Sequence, residues 1–225
     1  MYDRVMPTES GNKRRAAPRQ SGNGQGANDT DVKANSDEFE RTREAIVRAA
    51  ADVFRAQGFR AGTTKDIAAK VGLSQPSLYY YVGSKEALLS ELALRLDHDM
   101  AATWDRTVQY ADDPTTQLKA LIRELSKAII ADTTLFSVYW AESRWLPRPV
   151  ATQVSGDEKR MIHEIEDLVA RVQEKGDLPE GSPQIITEGI LGMMLWMYRW
   201  HKGGSHAPKP DEVADIFLRL LHLDG

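Results

Sequence analysis

The amino-acid sequence predicts an all-α protein, and three observations carry the prediction. Apolar residues recur at helical spacing in one segment after another. Capping residues and breakers close those segments at helix-like lengths, among them Gly58, Gly72, Asp112-Asp113-Pro114, Pro147, Gly176, Ser182-Pro183 and Gly203-Gly204. No stretch shows the strict alternation of a half-buried strand. The spacing gives about nine helices, divided into a three-helix helix-turn-helix domain over 37–85 and a larger helical domain over 86–225. A tail over 1–36 precedes them.

That tail is rich in Gly, Asn, Ser, Gln and Arg and has almost no large apolar residue, so its burial cannot offset its ordering entropy and it is expected to be disordered. Its cluster Lys13, Arg14, Arg15 and Arg19 reads either as a basic arm for a DNA groove or as a solubilising extension. From Asp37 the pattern changes. Ile46, Ala49, Ala50, Val53 and Phe54 mark the buried face of a first helix that ends at Gly58. Thr63 with Asp66 has the spacing of a capping box, Ile67, Ala68 and Val71 share one face, and Gly72 stops the helix. Ser74 caps the next helix, and Pro76 is tolerated in its first turn because no intrahelical N–H is lost there. Two short helices around a tight turn suit a DNA major groove, with Gln75 and Ser77 at the end that meets base edges. Of Tyr79, Tyr80 and Tyr81 at least one must face outward. Ser84 caps a fourth helix, where Lys85 and the first N–H groups form an anion site.

Leu88, Leu89, Leu92, Leu96 and Met100 carry that fourth helix away from the head. A fifth follows with Leu118, Leu121, Ile122, Leu125 and Ile129, and a sixth runs from about Thr134 to Leu146. Ile162, Ile165, Leu168, Val169 and Val172 mark the seventh. Ser182-Pro183 opens an eighth that stops at Gly203-Gly204, and Pro210-Asp211 opens a ninth with Val213, Ile216, Phe217, Leu220 and Leu221.

The head resembles the TetR family of bacterial transcriptional regulators. The resemblance lies in Ile46, Ala49, Ala50, Phe54 and Gly58, in Thr63-Thr64, Asp66-Ile67-Ala68 and Gly72-Leu73-Ser74, and in Leu78-Tyr79-Tyr80-Tyr81 and Ser84-Lys85-Glu86-Ala87-Leu88. It implies that Gln75, Pro76, Ser77 and Tyr79 lie at or near base edges and that Thr64, Tyr80 and Lys85 hold phosphates. The caps Thr63 and Ser74 complete the expected DNA-binding set. Val82 and Tyr81 depart from the usual Phe and His without removing a contact type. The fold implied is the same nine helices, and the assembly implied is a homodimer.

In the second half, Gly192-Met193-Met194-Leu195-Trp196-Met197-Tyr198-Arg199-Trp200-His201 is rich in Met and aromatic residues and is matched upstream by Trp140, Arg144 and Trp145. Such a run fills core and interface, or it lines an adaptable apolar cavity in which Arg144 or Arg199 meets an anion. On the second reading the expected ligand residues are Trp140, Arg144, Trp145, Met193, Trp196, Met197, Arg199 and Trp200. The run resembles the C-terminal signature of a TetR branch that senses acyl-CoA thioesters, which makes an acyl-CoA the first ligand class and a neutral lipophile or cationic drug the second. The apolar faces of the last two long helices suggest a four-helix dimer interface through Ile190, Met193, Met197, Ile216 and Leu220.

The expected function is a cytoplasmic repressor, homodimeric on a palindromic double-stranded DNA operator and released by a small-molecule effector. The chain's 225 residues, 41% hydrophobic and 28% charged, suit a globular protein with a sizeable core. No signal peptide or bilayer-spanning run is read, so no membrane is expected. The absence of cysteine removes disulfides and thiol chemistry. The formal charge of -4 does not exclude DNA binding, because the local field on the binding face decides. No nucleophile elbow, phosphate loop or His-Glu-x-x-His pattern supports an enzyme; His163 with Glu164 and Glu166 is the nearest approach to a metal site, on a helix read as solvated, and neither metal nor cofactor is expected. A non-specific architectural DNA protein is the remaining rival.

Overall fold

The computed structural model describes residues 29–108, 112–201, 203–204 and 206–223, with side chains from residue 36 onward. By its contacts the chain divides into Met1–Asp37 and Glu38–Gly225. The described part of the first unit is the helical stretch with which α1 (Asp29–Gln57) starts, upstream of the boundary expected at Asp37. The basic cluster expected in the tail lies outside the described residues. All other elements belong to the second unit.

In the head, local chemistry sets each boundary. α1 ends at Gly58, whose φ of 81° a side chain would disfavour. α2 (Thr64–Lys70) opens with the expected capping box: Asp66 N–H donates to Thr63 Oγ1 at 3.1 Å and Thr63 N–H to Asp66 Oδ2 at 3.1 Å. Gly72 at φ 69° makes the turn, and Ser74 caps α3 (Gln75–Val82) by accepting from Ser77 N–H at 3.2 Å. α4 (Lys85–Val108) is capped by Ser84, which accepts from Ala87 N–H at 2.9 Å. Ile46, Phe54, Ile67, Leu78 and Leu88 are fully buried between these helices and form the head's core.

α4 then continues into the body. Two ion pairs lock it to α1: Arg43 to Glu91 at 2.7 Å, and Arg95 to Glu44 at 2.5 Å. The Arg95 hydrogen bond holds the Glu44 carboxyl below its usual range. Against α4 pack α5 (Pro114–Ala131), α6 (Thr133–Glu142) and α7 (Arg148–Glu174), and on these three pack α8 (Pro183–Leu195), the one-turn α9 (Met197–Trp200) and α10 (Pro210–Leu220). α5 is central, in contact with α4, α7 and α10, and its face Leu118, Leu121, Ile122, Leu125 and Ile129 is buried as its spacing predicts. Asp113 caps α5 through Thr116 N–H at 2.9 Å, while Thr115 Oγ1 donates to Asp177 at 2.5 Å and ties the start of α5 to the end of α7.

Among the described residues there is no strand, and the nine expected helices are present with two refinements. The sixth closes as a 3-10 turn over Ser143–Trp145, and the eighth breaks at Trp196 instead of running to Gly203. No described helix is long and apolar enough to cross a membrane.

Candidate DNA-reading face and effector cavity

The outward surface of the head is built around one buried hydroxyl. Gln75 Nε2 donates to Thr64 Oγ1 at 2.7 Å, and Thr64 Oγ1 lies 3.2 Å from the Tyr79 hydroxyl, so a polar node joins α2 to α3. Ser74, Gln75 and Pro76 are exposed at the start of α3, and Ser74 Oγ meets Ser77 Oγ at 2.7 Å. Leu78 anchors α3 from beneath, which leaves Tyr79 partly exposed and Tyr80 76% exposed. Tyr80 is not loose. Its ring meets Phe39 edge-on at 5.8 Å, and Phe39 also packs on Tyr81 at 4.8 Å. Sequence reasoning missed Phe39, although it stands seven residues before Ile46 on the same helical stripe.

Lys85 is placed differently from the expectation. Its Nζ donates to the carbonyls of Phe59 at 2.7 Å and Gly62 at 2.9 Å and lies 4.6 Å from the Phe59 ring centre. The ammonium thus closes the loop between α1 and α2 rather than projecting from the N-terminus of α4. A short loop whose carbonyls leave the C-terminus of α1 attracts a cation, and the signal in the sequence was only that Lys85 follows a cap.

In the body, Leu96 and Met100 of α4, Leu125 of α5, Phe136, Tyr139 and Trp140 of α6, Val154, Glu158, Met161, Ile162 and Ile165 of α7, and Leu191 and Leu195 of α8 enclose a cavity of about 100 Å³ together with Asp97. Of the eight ligand residues expected from the sequence, Trp140 alone lines it. The register of α8 explains the difference: Leu191 and Leu195 face inward, Met193 packs half-buried against the core, and Met197, beyond the break, is fully buried in the protomer. Trp196 and Trp200 are exposed. Arg199 stacks on Trp196 at 4.7 Å, and Arg144 lies over Trp145 at 5.5 Å on the outer side of the 3-10 turn, so neither guanidinium reaches the cavity.

The cavity's polar end was not foreseen. The Tyr139 hydroxyl donates to Glu158 Oε2 at 3.5 Å, and burial raises both groups: the hydroxyl up to about 12, and the Glu158 carboxyl above its ordinary range with a further push from Glu188. Burial also raises Asp97, as does Asp157 beside it. The spacing held a signal, since Val154, Glu158, Ile162 and Ile165 fall on one stripe of α7. The predicted solvated character of the neighbouring stretch holds for His163, which is largely exposed and pairs with Glu166 at 3.3 Å. No cluster of metal-ligating side chains occurs among the described residues.

The cavity wall and the head are joined twice, by α4 and by α6. Arg55 Nη1 donates to Thr134 Oγ1 at 2.7 Å, Arg60 lies over the Trp145 ring at 5.2 Å, and a Cβ on Gly58 would come within 3.3 Å of Glu142 Oε1. Ile185 of α8, Trp196 at the break that follows it, and Ile216 and Leu220 of α10 are exposed, with Gly189 and Gly192 between the first two. Ile190 and Met197, expected in a dimer interface, are buried inside the protomer and belong to its own core. The outward face of α8 is rotated from the expected one.

Comparison with known proteins bears directly on this arrangement. Residues 46–92 match the bacterial regulatory proteins of the tetR family, and residues 111–223 match the tetracyclin repressor-like C-terminal domain. The chain belongs to the TetR family. It is therefore a DNA-binding transcriptional regulator whose head is the TetR N-terminal domain and whose cavity is lined mostly by the TetR C-terminal domain, with Leu96, Asp97 and Met100 added from α4. Among its TetR relatives, the transcriptional repressor KstR2 of Rhodococcus jostii is 29% identical over 81% of this chain and 90% of its own length. The transcriptional regulator RutR of Escherichia coli is 30% identical over 79% of this chain and 80% of its own. The solved structure of AibR in complex with isovaleryl coenzyme A and operator DNA shares the fold, with a TM-score of 0.70 at 20% identity over 80% of this chain and 98% of that one.

Proposed function

We propose that the protein is a cytoplasmic TetR-type repressor that binds a palindromic operator as a homodimer and is released by a lipophilic effector bound between α4 and α8. The observation that carries this reading is that one apolar cavity borders both α4 and α6, and both helices run from its wall to the head. Two recognition helices must sit about one DNA turn apart, some 34 to 36 Å, to read two half-sites, so a small displacement of α4 or α6 breaks register. The cavity of about 100 Å³ is smaller than the roughly 300 Å³ at the low end for small-molecule sites. An effector that enters must move its walls, which gives the two states different affinities for it.

On this reading Gln75, Pro76, Ser77 and Tyr79 approach base edges, and Thr63, Thr64, Ser74 and Tyr80 help hold phosphates. Lys85 contributes chiefly by shaping the loop that carries α2. The dimer forms through the outer faces of α8 and α10. An acyl-CoA is the effector class supported by the likeness in fold to AibR, solved with isovaleryl coenzyme A. A neutral or cationic lipophile is the second reading, favoured by the carboxyls in the cavity wall and the absence of Lys or Arg from its lining. Selection of genomic fragments by the full-length chain, followed by titration of the complex with acyl-CoAs, tests the proposal. Enrichment of one palindrome and its release by an acyl-CoA is the expected result. Retention of random duplex with equal affinity contradicts it.

A further inference from the structure

The polar end of the cavity is more specific than an apolar pocket requires. Glu158 occupies the stripe that Val154, Ile162 and Ile165 otherwise keep apolar, and Asp97 stands beside Leu96 on α4. Two carboxyls and the Tyr139 hydroxyl therefore face a space whose remaining walls are nearly all apolar, and no Lys or Arg side chain joins them. A carboxylate half-removed from water loses hydration that an apolar neighbour cannot replace. The adjoining surface groove between α4 and α7 shares Asp97 and Met161 with the cavity and adds Asp105, Asp157 and Glu164 against His98 and Arg160, the last already paired with Asp157. The field at this end is negative.

We infer that the cavity takes a short lipophile ending in a hydrogen-bond donor, best a protonated amine, and rejects the same skeleton ending in a carboxylate. The inference rests on the reading of this cavity as the effector site and takes the second of its two ligand classes, the cationic lipophile, over the acyl-CoA. An ammonium set beside Glu158 and Asp97 replaces the water they lost with charge-assisted hydrogen bonds, and a hydroxyl replaces part of it. A carboxylate brings a third acidic group to a cavity whose lining holds no Lys or Arg, while the nearby Arg160 is already paired with Asp157. The cavity, at about 100 Å³, is smaller than the roughly 150 Å³ cavity that holds benzene, so the apolar part of the ligand must be short.

The test is calorimetric titration of the full-length protein at pH 7 with pentylamine, pentan-1-ol and pentanoate, checked by thermal unfolding with each. The amine is expected to bind at least about tenfold more tightly than pentanoate, with the alcohol between them. In Glu158→Gln, which keeps the shape, the amine should fall toward the alcohol. Leu191→Trp, which fills the cavity, should abolish binding of the amine. Pentanoate binding as tightly as pentylamine would overturn the inference and leave the cavity standing as a lipophile site. An amine preference that survives in both Glu158→Gln and Asp97→Asn would overturn the assignment to these carboxyls. Binding of none of the three compounds to the native protein would remove the cavity reading itself.

Discussion

At position 75 one amide bridges α2 and α3 while its side chain stays exposed, so its replacement separates reading from folding. Gln75→Ala should leave the fold intact and broaden base preference at one position of each half-site, as fragment selection would show; an unchanged preference removes Gln75 from direct readout. Lys85→Ala should behave otherwise, lowering stability by about 1.5 to 3 kcal/mol because two carbonyls lose a charged donor, and weakening all DNA sequences alike. Glu158 carries the pH signature. Its folded carboxyl titrates above the usual 4.5, so the folded chain holds the proton more tightly and loses stability as pH rises from about that value through the raised one. Glu158→Gln should therefore raise Tm at neutral pH, with the difference vanishing below the ordinary carboxylate range. A variant less stable than the native chain at neutral pH would contradict that assignment. The caps at Thr63, Ser74 and Ser84 and the turn at Gly72 were legible in the sequence because each depends on chemistry within four residues. Glu158, Asp97 and the inward turn of Lys85 were not, because each acquires its role from elements distant in sequence.

Among the elements, α5 and α7 followed their apolar spacing closely, whereas α8 did not present the face its composition suggested. The Met and Trp run invites placing Met193, Trp196 and Met197 together, but a break at Trp196 sends Met197 to the core and Trp196 outward. Helical periodicity identifies a stripe and leaves open which neighbour covers it. The exposed residues Ile185, Trp196, Ile216 and Leu220 are therefore the proposed surface for a second copy, in place of the buried Ile190 and Met197. Ile216→Glu should split the dimer at the cost of several kcal/mol if two copies bury this face. Light scattering that still shows a dimer with operator binding intact would place the interface elsewhere. α6 offers an independent test of transmission. Trp145→Ala removes the ring beneath Arg60 without touching the cavity lining or α3, so effector binding and operator binding should persist while the effector needed for release rises. Release at the native concentration would leave α4 as the sole route.

For the whole molecule, the all-α fold was readable because breakers and caps punctuate the chain at most helix ends. The location of the cavity was not, since it exists only where five helices meet. The central claim is that occupancy of that cavity and occupancy of DNA are thermodynamically linked through α4 and α6. Linkage is reciprocal, so an effector that weakens operator binding must itself be bound more weakly by the same factor when operator is present, typically 5- to 150-fold. The direct measurement is a pair of titrations on the full-length protein: operator affinity with and without saturating effector, and effector affinity with and without saturating operator. The account predicts equal losses in both, abolished by Leu191→Trp, whose side chain fills the cavity. Operator affinity that stays unchanged while calorimetry shows the cavity filled would contradict it.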